Sequence, residues 1–236
     1  MPFYIAMLAA ILTGTVLSLG CEFFNHQILE AKRASSGAHL ISSLGIYIVV
    51  TQMAAICWGN ETKVLRTGLD NVQHLSSVIL TQTQEISFVI ASSLLVAYYV
   101  WLCRSKVGLL FRAMADNPAE FALRGHNLHA MRMTSFGVSG FLCSVSSLLV
   151  AYDIGFDAHG GLSSILLAVV AVIVGGRQSF AGPLAGAIIL GVVRCLIVWW
   201  LSAQWAEAFT FGILALVLLV RPDGLLGCRF RLEAAA

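Results

Sequence analysis

The stretch Ile86-Ser-Phe-Val-Ile-Ala-Ser-Ser-Leu-Leu-Val-Ala-Tyr-Tyr-Val-Trp-Leu-Cys103 carries no charge and is followed at once by Arg104-Ser-Lys106. An α-helix rises about 1.5 Å per residue, so a run of this length approaches the ~30 Å hydrocarbon core of a bilayer. Similar apolar runs recur on both sides of it, at roughly residues 3–24, 40–58, 133–152, 162–176, 182–201 and 205–220. The pattern predicts an all-α fold, a polytopic membrane helix bundle of about seven spans. The run at 162–176 is the shortest and is open to a tilted or re-entrant reading. A β-barrel would need segments of about 10 residues alternating apolar and polar, and that pattern is absent. Composition agrees: of 236 residues, 58% are hydrophobic and 11% charged, with a mean hydropathy of +0.87. Soluble domains carry about 25% charged residues.

The loops between the runs set an expected orientation. Lys32 and Arg33 follow the first run, Arg104, Lys106, Arg112, Arg124 and Arg132 follow the third, and Arg221, Arg229 and Arg231 follow the last. Basic loops favour the cytoplasmic side. Residues 59–85 balance Lys63 and Arg66 against Glu61, Asp70 and Glu85, and residues 153–161 hold only acids, so both suit the outside. The result is N-out and C-in, with Arg177 inside. Asn60-Glu61-Thr62 matches a glycosylation acceptor, a triplet too common to mean more than an outer loop. The cysteines, Cys21, Cys57, Cys103, Cys143, Cys195 and Cys228, are scattered and form no Cys-x-x-Cys pair. They imply neither a disulfide framework nor a metal site. No basic n-region precedes the first run, so no cleavable signal peptide is expected. The tail Leu232-Glu-Ala-Ala-Ala236 reads as a cloning scar.

Between the third and fourth runs lies a charged cassette, Arg112-Ala-Met-Ala-Asp-Asn-Pro-Ala-Glu-Phe-Ala-Leu-Arg-Gly125. Asn117 is a candidate N-cap with Pro118 at N1 and Glu120 at N3, a capping-box arrangement, and Gly125 suits a left-handed C′ position. Asp116, Glu120 and Arg124 recur every four residues and predict one polar stripe, with Ala119, Ala122 and Leu123 turned to the membrane or to neighbouring spans. The plain reading is a solvated loop helix; the sharper one is a surface that receives force from a partner. Asn117-Pro118-Ala119 also spells the triplet of water and glycerol channels, but a single copy among surface charges argues against that.

Small residues are the second theme. Gly137 and Gly140, Gly175 and Gly176, Gly182-x-x-x-Gly186 and Gly191 permit close helix contact. Gly175-Gly-Arg-Gln-Ser179 predicts a turn that ends a run beside a charge. Arg194 is the one charge well inside a run. Such an arginine faces a bundle interior or a water-filled cavity. It is a candidate for the translocation pathway or for a structural ion pair with Asp153, Asp157 or Glu207.

No acid is expected deep in any run, no Gly-x-x-x-x-Gly-Lys-Ser/Thr phosphate loop occurs, and no catalytic grouping is present. The chain is therefore expected to be no enzyme, to have no catalytic residues, no metal and no cofactor. Either it is passive, or energy reaches it through the cassette. The formal charge of +2 gives no sign of nucleic-acid binding.

At this point the residues resemble a family. Phe111 to Asn127 is similar to the cytoplasmic loop of permease subunits of branched-chain amino acid ABC importers. The likeness continues through Ala168-Val-Val-Ala-Val-Ile-Val-Gly-Gly-Arg-Gln-Ser-Phe-Ala-Gly-Pro-Leu-Ala-Gly-Ala187, and closes with Arg221-Pro-Asp-Gly-Leu-Leu-Gly227. Resemblance implies a single transmembrane permease domain over 1–227, with 228–236 a cytoplasmic tail. It implies that 117–125 is a coupling helix seated on an ATPase, with Asp116, Asn117, Pro118, Glu120, Ala122, Arg124 and Gly125 at the contact. Glu120, Ala122 and Gly125 stand for a degenerate Glu-Ala-Ala…Gly signature. The implied partners are cytoplasmic ABC ATPase subunits, a second permease subunit (homo- or heterodimer), a periplasmic solute-binding protein and the lipid bilayer of an inner membrane. Family members usually begin with further helices, and this chain starts after them, as a short member, a fragment or a chain with a misassigned start would. Arg194 stands where many relatives have Glu, which leaves the solute open. The expected function is the permease subunit of an ATP-driven importer for branched-chain amino acids or a related small polar solute. A passive channel for a small neutral solute is the alternative, and a membrane scaffold a third.

Overall fold

The computed structural model describes residues 3–32, 34–65, 72–75, 78–176, 181–221 and 224. Arg33, Arg66, Asp70, Arg177 to Ser179, and Pro222, Asp223 and Leu225 to Ala236 of the closing motif and tail lie outside the described residues. The chain is a multi-pass helical membrane protein. Each apolar run is a helix, and large apolar side chains such as Leu12, Ile41, Ile56, Phe88, Trp199 and Leu219 lie exposed along them, as a lipid-facing surface requires. Five helical segments among the described residues have the length and apolarity to cross a membrane: Tyr4–Ala31, Gly37–Trp58, Gln82–Arg104, Leu128–Asp153 and Gly182–Trp200. Gly161–Gly175 and Trp205–Val220 are apolar but shorter. Fifteen residues of helix rise about 22 Å, less than the ~30 Å core.

Contacts divide the chain into two units, Met1–Ala158 and His159–Ala236. The first holds α1 (Phe3–Cys21), a π segment (Glu22–His26), α2 (Gln27–Ala31), α3 (Ser36–Trp58), β1 (Val72–Leu75), β2 (Val78–Thr81), α4 (Gln82–Arg104), α5 (Lys106–Asp116), α6 (Pro118–Leu123) and α7 (Leu128–Asp153). The strands pair antiparallel with Val72 opposite Thr81 and Leu75 opposite Val78, inside a stretch expected to be loop.

Small residues decide how α1 and α7 meet. A Cβ on Gly14 would overlap the Ser144 hydroxyl, and one on Gly140 would stand 2.5 Å from the Ser18 Cβ. With the two helices this close, Ser18 donates from Oγ to the Phe136 carbonyl at 2.8 Å. Gly137, by contrast, makes only an ordinary contact at 3.6 Å to Leu19. Close approach multiplies dispersion contacts, which carry helix association where lipid removes the hydrophobic drive. At one end of this pair, Lys63 and Phe156 exchange backbone hydrogen bonds of 2.9 Å each way. Gly155 lies at φ 96°, and a Cβ there would stand 2.9 Å from the Lys63 carbonyl oxygen. Both the left-handed backbone and the close approach call for glycine.

At the other end, the helix from Tyr4 to Ala31 is widened by the π segment. The widening turns Glu22 (0% exposed) and Asn25 (5%) inward while Phe23 and Phe24 point out at 53% and 73%. Polar side chains thus face protein and aromatic ones face the surroundings, the order a bilayer favours. Arg132, one turn into α7, holds Glu22 with its Nε 3.0 Å from Oε1 and its Nη2 3.4 Å from Oε2. It also pairs with Glu30. The expectation that no acid lies deep in a run therefore needs correcting. Glu22, at the end of the first apolar run, is fully buried, because its counter-ion arrives from α7.

The second unit packs α8 (Gly161–Gly175), α9 (Gly182–Trp200) and α10 (Trp205–Val220) around Val170, Ala171, Val174 and Leu190, with Ile213, Leu214 and Val217 against them. Gly175 and Gly186 form the tightest contact. A Cβ on Gly175 would overlap the Gly182 carbonyl oxygen, and one on Gly186 would overlap that of Ala171. Gly182 is buried at the start of α9, and Gly176, at φ 104°, ends α8. Gly191 meets nothing within 4 Å, so the close-packing role expected of it does not apply: it lies on an outward face of α9.

Candidate functional site

The cassette is built from its caps upward. Ser105 ends α4 and starts α5, its Oγ accepting from Gly108 N–H at 3.0 Å. α5 folds back so tightly on the end of α4 that a Cβ on Gly108 would overlap the Leu102 carbonyl oxygen. Arg112 then reaches from α5 to the same end. Its Nη2 donates to the carbonyls of Leu102 at 3.3 Å and Cys103 at 3.4 Å, satisfying acceptors that a helix C-terminus leaves open. Phe111 is buried, edge-on to Trp101 with centroids 6.2 Å apart. We expect Gly108→Val to cost about 1–3 kcal/mol of local packing. Trypsin cleavage at Lys106 and Arg112 in native membranes should then rise roughly 5- to 100-fold, and an unchanged cleavage rate would contradict this contact.

Asn117 breaks the helix. At φ −149° and ψ 95° it is extended, its N–H closing α5 on Ala113 O while its Oδ1 accepts from Ala119 N at 3.1 Å and Glu120 N at 3.2 Å. The N-cap thus has the expected residue, but the reciprocal arm of a capping box has no donor to meet, since α5 has taken the Asn117 N–H. Two expectations change with it. Asp116 ends α5 whereas Glu120 and Arg124 belong to α6 and its cap, so no single helical stripe joins the three. They instead line a hollow of about 350 Å³ in the crook of the two helices, with Leu109, Ala113 and His126. The anchor of α6 is Phe121, 3% exposed and stacked on His126 at 5.0 Å; Ala119 and Ala122 are exposed and Leu123 is 87% exposed. Arg124 is the C-cap and Gly125, at φ 81°, turns the chain toward Asn127, whose Oδ1 caps α7 through Ala130 N at 3.2 Å. The result is a short helix pinned by one aromatic side chain and presenting its other faces outward.

Further hollows lie among the apolar helices. In the first unit a groove of about 740 Å³ between α1 and α7 carries the hydroxyls of Thr13, Ser18, Ser139, Ser144 and Ser147, with Asp157 on its wall. Asp153 is the last residue of α7 and is half-buried. In the second unit Arg194 lines a cavity of about 220 Å³ with Glu207 and Thr210. Glu22, Asn25 and Arg132 were missed as a group from sequence. The available signal was an acid closing one apolar run and an arginine immediately before another.

An apolar helix bundle with a capped surface helix between two long spans defines an integral membrane protein. Residues 1–218 match the model of the family described as branched-chain amino acid transport system / permease component, and the chain belongs to that family. Similar proteins include the high-affinity branched-chain amino acid transport system permease proteins BraD of Pseudomonas aeruginosa and LivH of Escherichia coli K12. Each is 26% identical over 194 residues, covering 80% of this chain and 63% of the relative. The autoinducer 2 import system permease protein LsrC of Yersinia enterocolitica is 26% identical over 224 residues, 92% of this chain and 60% of that protein. The chain thus spans somewhat under two thirds of the length of these relatives. All are named as permease proteins and none as an enzyme. No solved structure matches the chain.

Proposed function

We propose that the chain is a transmembrane permease subunit of an ATP-driven importer for branched-chain amino acids or a related small polar solute. It works in the bacterial inner membrane, N-out and C-in, with a second permease subunit, cytoplasmic ATPases that hydrolyse the ATP, and a solute-binding protein outside. The observation that carries this reading is α6. A six-residue helix has too little length to be stable alone, yet this one is capped at Asn117, pinned by Phe121 and left exposed at Glu120, Ala122 and Leu123. That is the form of an element meant to be gripped. ATP-driven closure of the partners would move α6, and through it α7, so that tightly packed helices rock as bodies between two access states. Family membership favours this over a passive channel.

The test is co-purification. Glu120→Arg, or deletion of 117–124, is expected to cut recovery of the ATPase with the permease at least tenfold while the permease still inserts. Undiminished recovery with both variants would remove the coupling role of α6.

A further inference from the structure

We propose that His26 and His39 form a proton-operated latch between the π segment and α3, shut while one hydrogen lies between the two rings and sprung when each ring brings its own. His26 ends the π segment and His39 lies in the first turn of α3. Their Nδ1 atoms stand 3.2 Å apart, the rings are within 11° of parallel, and the ring centroids are 5.5 Å apart. That centroid separation equals the Nδ1–Nδ1 distance plus one ring radius on each side. The rings therefore meet edge to edge, each Nδ1 aimed straight at the other. A metal ion chelated by both would need the two lone pairs to converge on a third point, and here they share one line. The arrangement fits a single N–H···N bond. One imidazole donates from Nδ1, and the other accepts there and carries its own hydrogen on Nε2.

A first added proton goes to the free Nε2 of the donor ring and leaves the bond in place. A second must occupy the accepting Nδ1, which sets two N–H groups and two positive charges against each other. The shut pair thus holds at most one extra proton whereas separated imidazoles hold two, so acid favours the open form. Below the ordinary imidazole range, about pH 6.5, the shut-to-open ratio is expected to fall about tenfold per pH unit. The charged groups facing His26 are Glu22, four residues earlier on the π segment, and Arg132 from α7, while Glu30 of α2 meets the same arginine. Both acids are paired with a guanidinium that keeps its charge, so within this cluster the imidazoles are what titrates between about pH 8 and about pH 5. Phe136 of α7 seats the His26 ring, with centroids 5.4 Å apart. What the latch holds is α3. No described residue of that helix is buried, and Leu40, Ile41 and Leu44 of its first turns are more than half exposed. The neighbouring tie, Ser42 Oγ donating to Asn25 Oδ1, is incomplete, since the Asn25 Nδ2 is buried without an acceptor among the described residues. Losing the imidazole bond therefore frees the start of α3 from α1 and α7.

Hydrogen exchange of the full chain in lipid nanodiscs, from about pH 8 to about pH 5 and corrected for the intrinsic pH dependence of exchange, reads the latch. In wild type the amides of residues 40–46 are expected to lose protection about tenfold per pH unit below the imidazole range, while those of α7 keep theirs. His39→Gln should abolish this acid response and retain the protection seen in the alkaline limb, because its amide accepts from a protonated His26 and donates to a neutral one. His26→Ala should lower protection of the same amides at every pH. His126, stacked on Phe121, and His129, exposed in the first turn of α7, titrate in the same window and remain in both variants, so a lost response assigns it to the pair. Ring 15N spectra of the wild type check the bond itself: a scalar coupling between two imidazole Nδ1 nuclei is expected at about pH 8 and should vanish by about pH 5. Absence of that coupling throughout, wild-type protection that ignores pH, an acid response kept in His39→Gln, or a parallel loss of protection in α7 would each overturn the latch. None of these readings depends on what the chain transports.

Discussion

Replacing Arg132 with alanine is expected to lower the stability of the first unit by about 3–5 kcal/mol, the range for removing one partner of a buried ion pair. The cost is large because Glu22 is 0% exposed and would keep its charge with no cation beside it. The second acid, Glu30, is half-exposed and can turn to water, so it adds little to the loss. Arg132→Ala combined with Glu22→Gln should recover most of the deficit, since a neutral amide tolerates that site far better than a bare carboxylate. Thermal unfolding in detergent is the measurement. If Arg132→Ala alone leaves the midpoint in place, or the double variant is no better than the single, the pair is not what holds the π segment against α7. The variant should also weaken coupling, because the arginine sits one turn beyond the cap that links α6 to α7.

Gly186→Leu is the second large effect. A Cβ at this position already overlaps the Ala171 carbonyl and stands 2.8 Å from the Gly175 nitrogen, all backbone atoms that cannot rotate away. α8 and α9 must separate to admit a side chain, opening the contacts around Val170, Val174 and Leu190. Overpacking typically costs about 1–3 kcal/mol, and overlap with backbone puts this case at or above the upper end. Gly191→Leu is the matched control. With nothing within 4 Å of its Cβ, it is expected to stay within about 0.5 kcal/mol of wild type. Equal melting temperatures for the two variants would refute the assignment of Gly186 to the α8–α9 contact.

These glycines show what the sequence could and could not reveal. Gly182, Gly186 and Gly191 share a composition and an apolar context, so spacing alone marks all of them as packing residues. Which of them faces a neighbour depends on where the second helix lies, and that is a long-range fact. Asn117 is the opposite case. Its cap is made with residues two and three positions on, so Asn-Pro-x-Glu was enough to place it. α5 lies in a charged stretch between two spans, and its lock on α4 depends on Gly108 meeting a carbonyl six residues earlier. Glu22 gives no such local sign, because its counter-ion lies 110 residues away. Arg194 stands out as a charge in an apolar run, and of the three acids offered for it only the placement of α9 beside α10 singles out Glu207, which lines the same cavity.

The double duty of Asn117 has a mechanical consequence. One residue closes α5 with its N–H and opens α6 with its side chain, so the corner contains no idle link between the two rods. On the far side only Arg124 to Asn127 separate α6 from α7, and Asn127 is itself spent on a cap. An assembly of this kind behaves like a bell crank with little backlash. A displacement imposed on α6 cannot be absorbed by stretching a tether and must reappear as rotation of α5 about its seat on α4 or of α7 against α1. Inserting two or three flexible residues after Gly125 would add play to that joint. Its signature in the assembled importer would be ATP turnover that continues while solute movement fades.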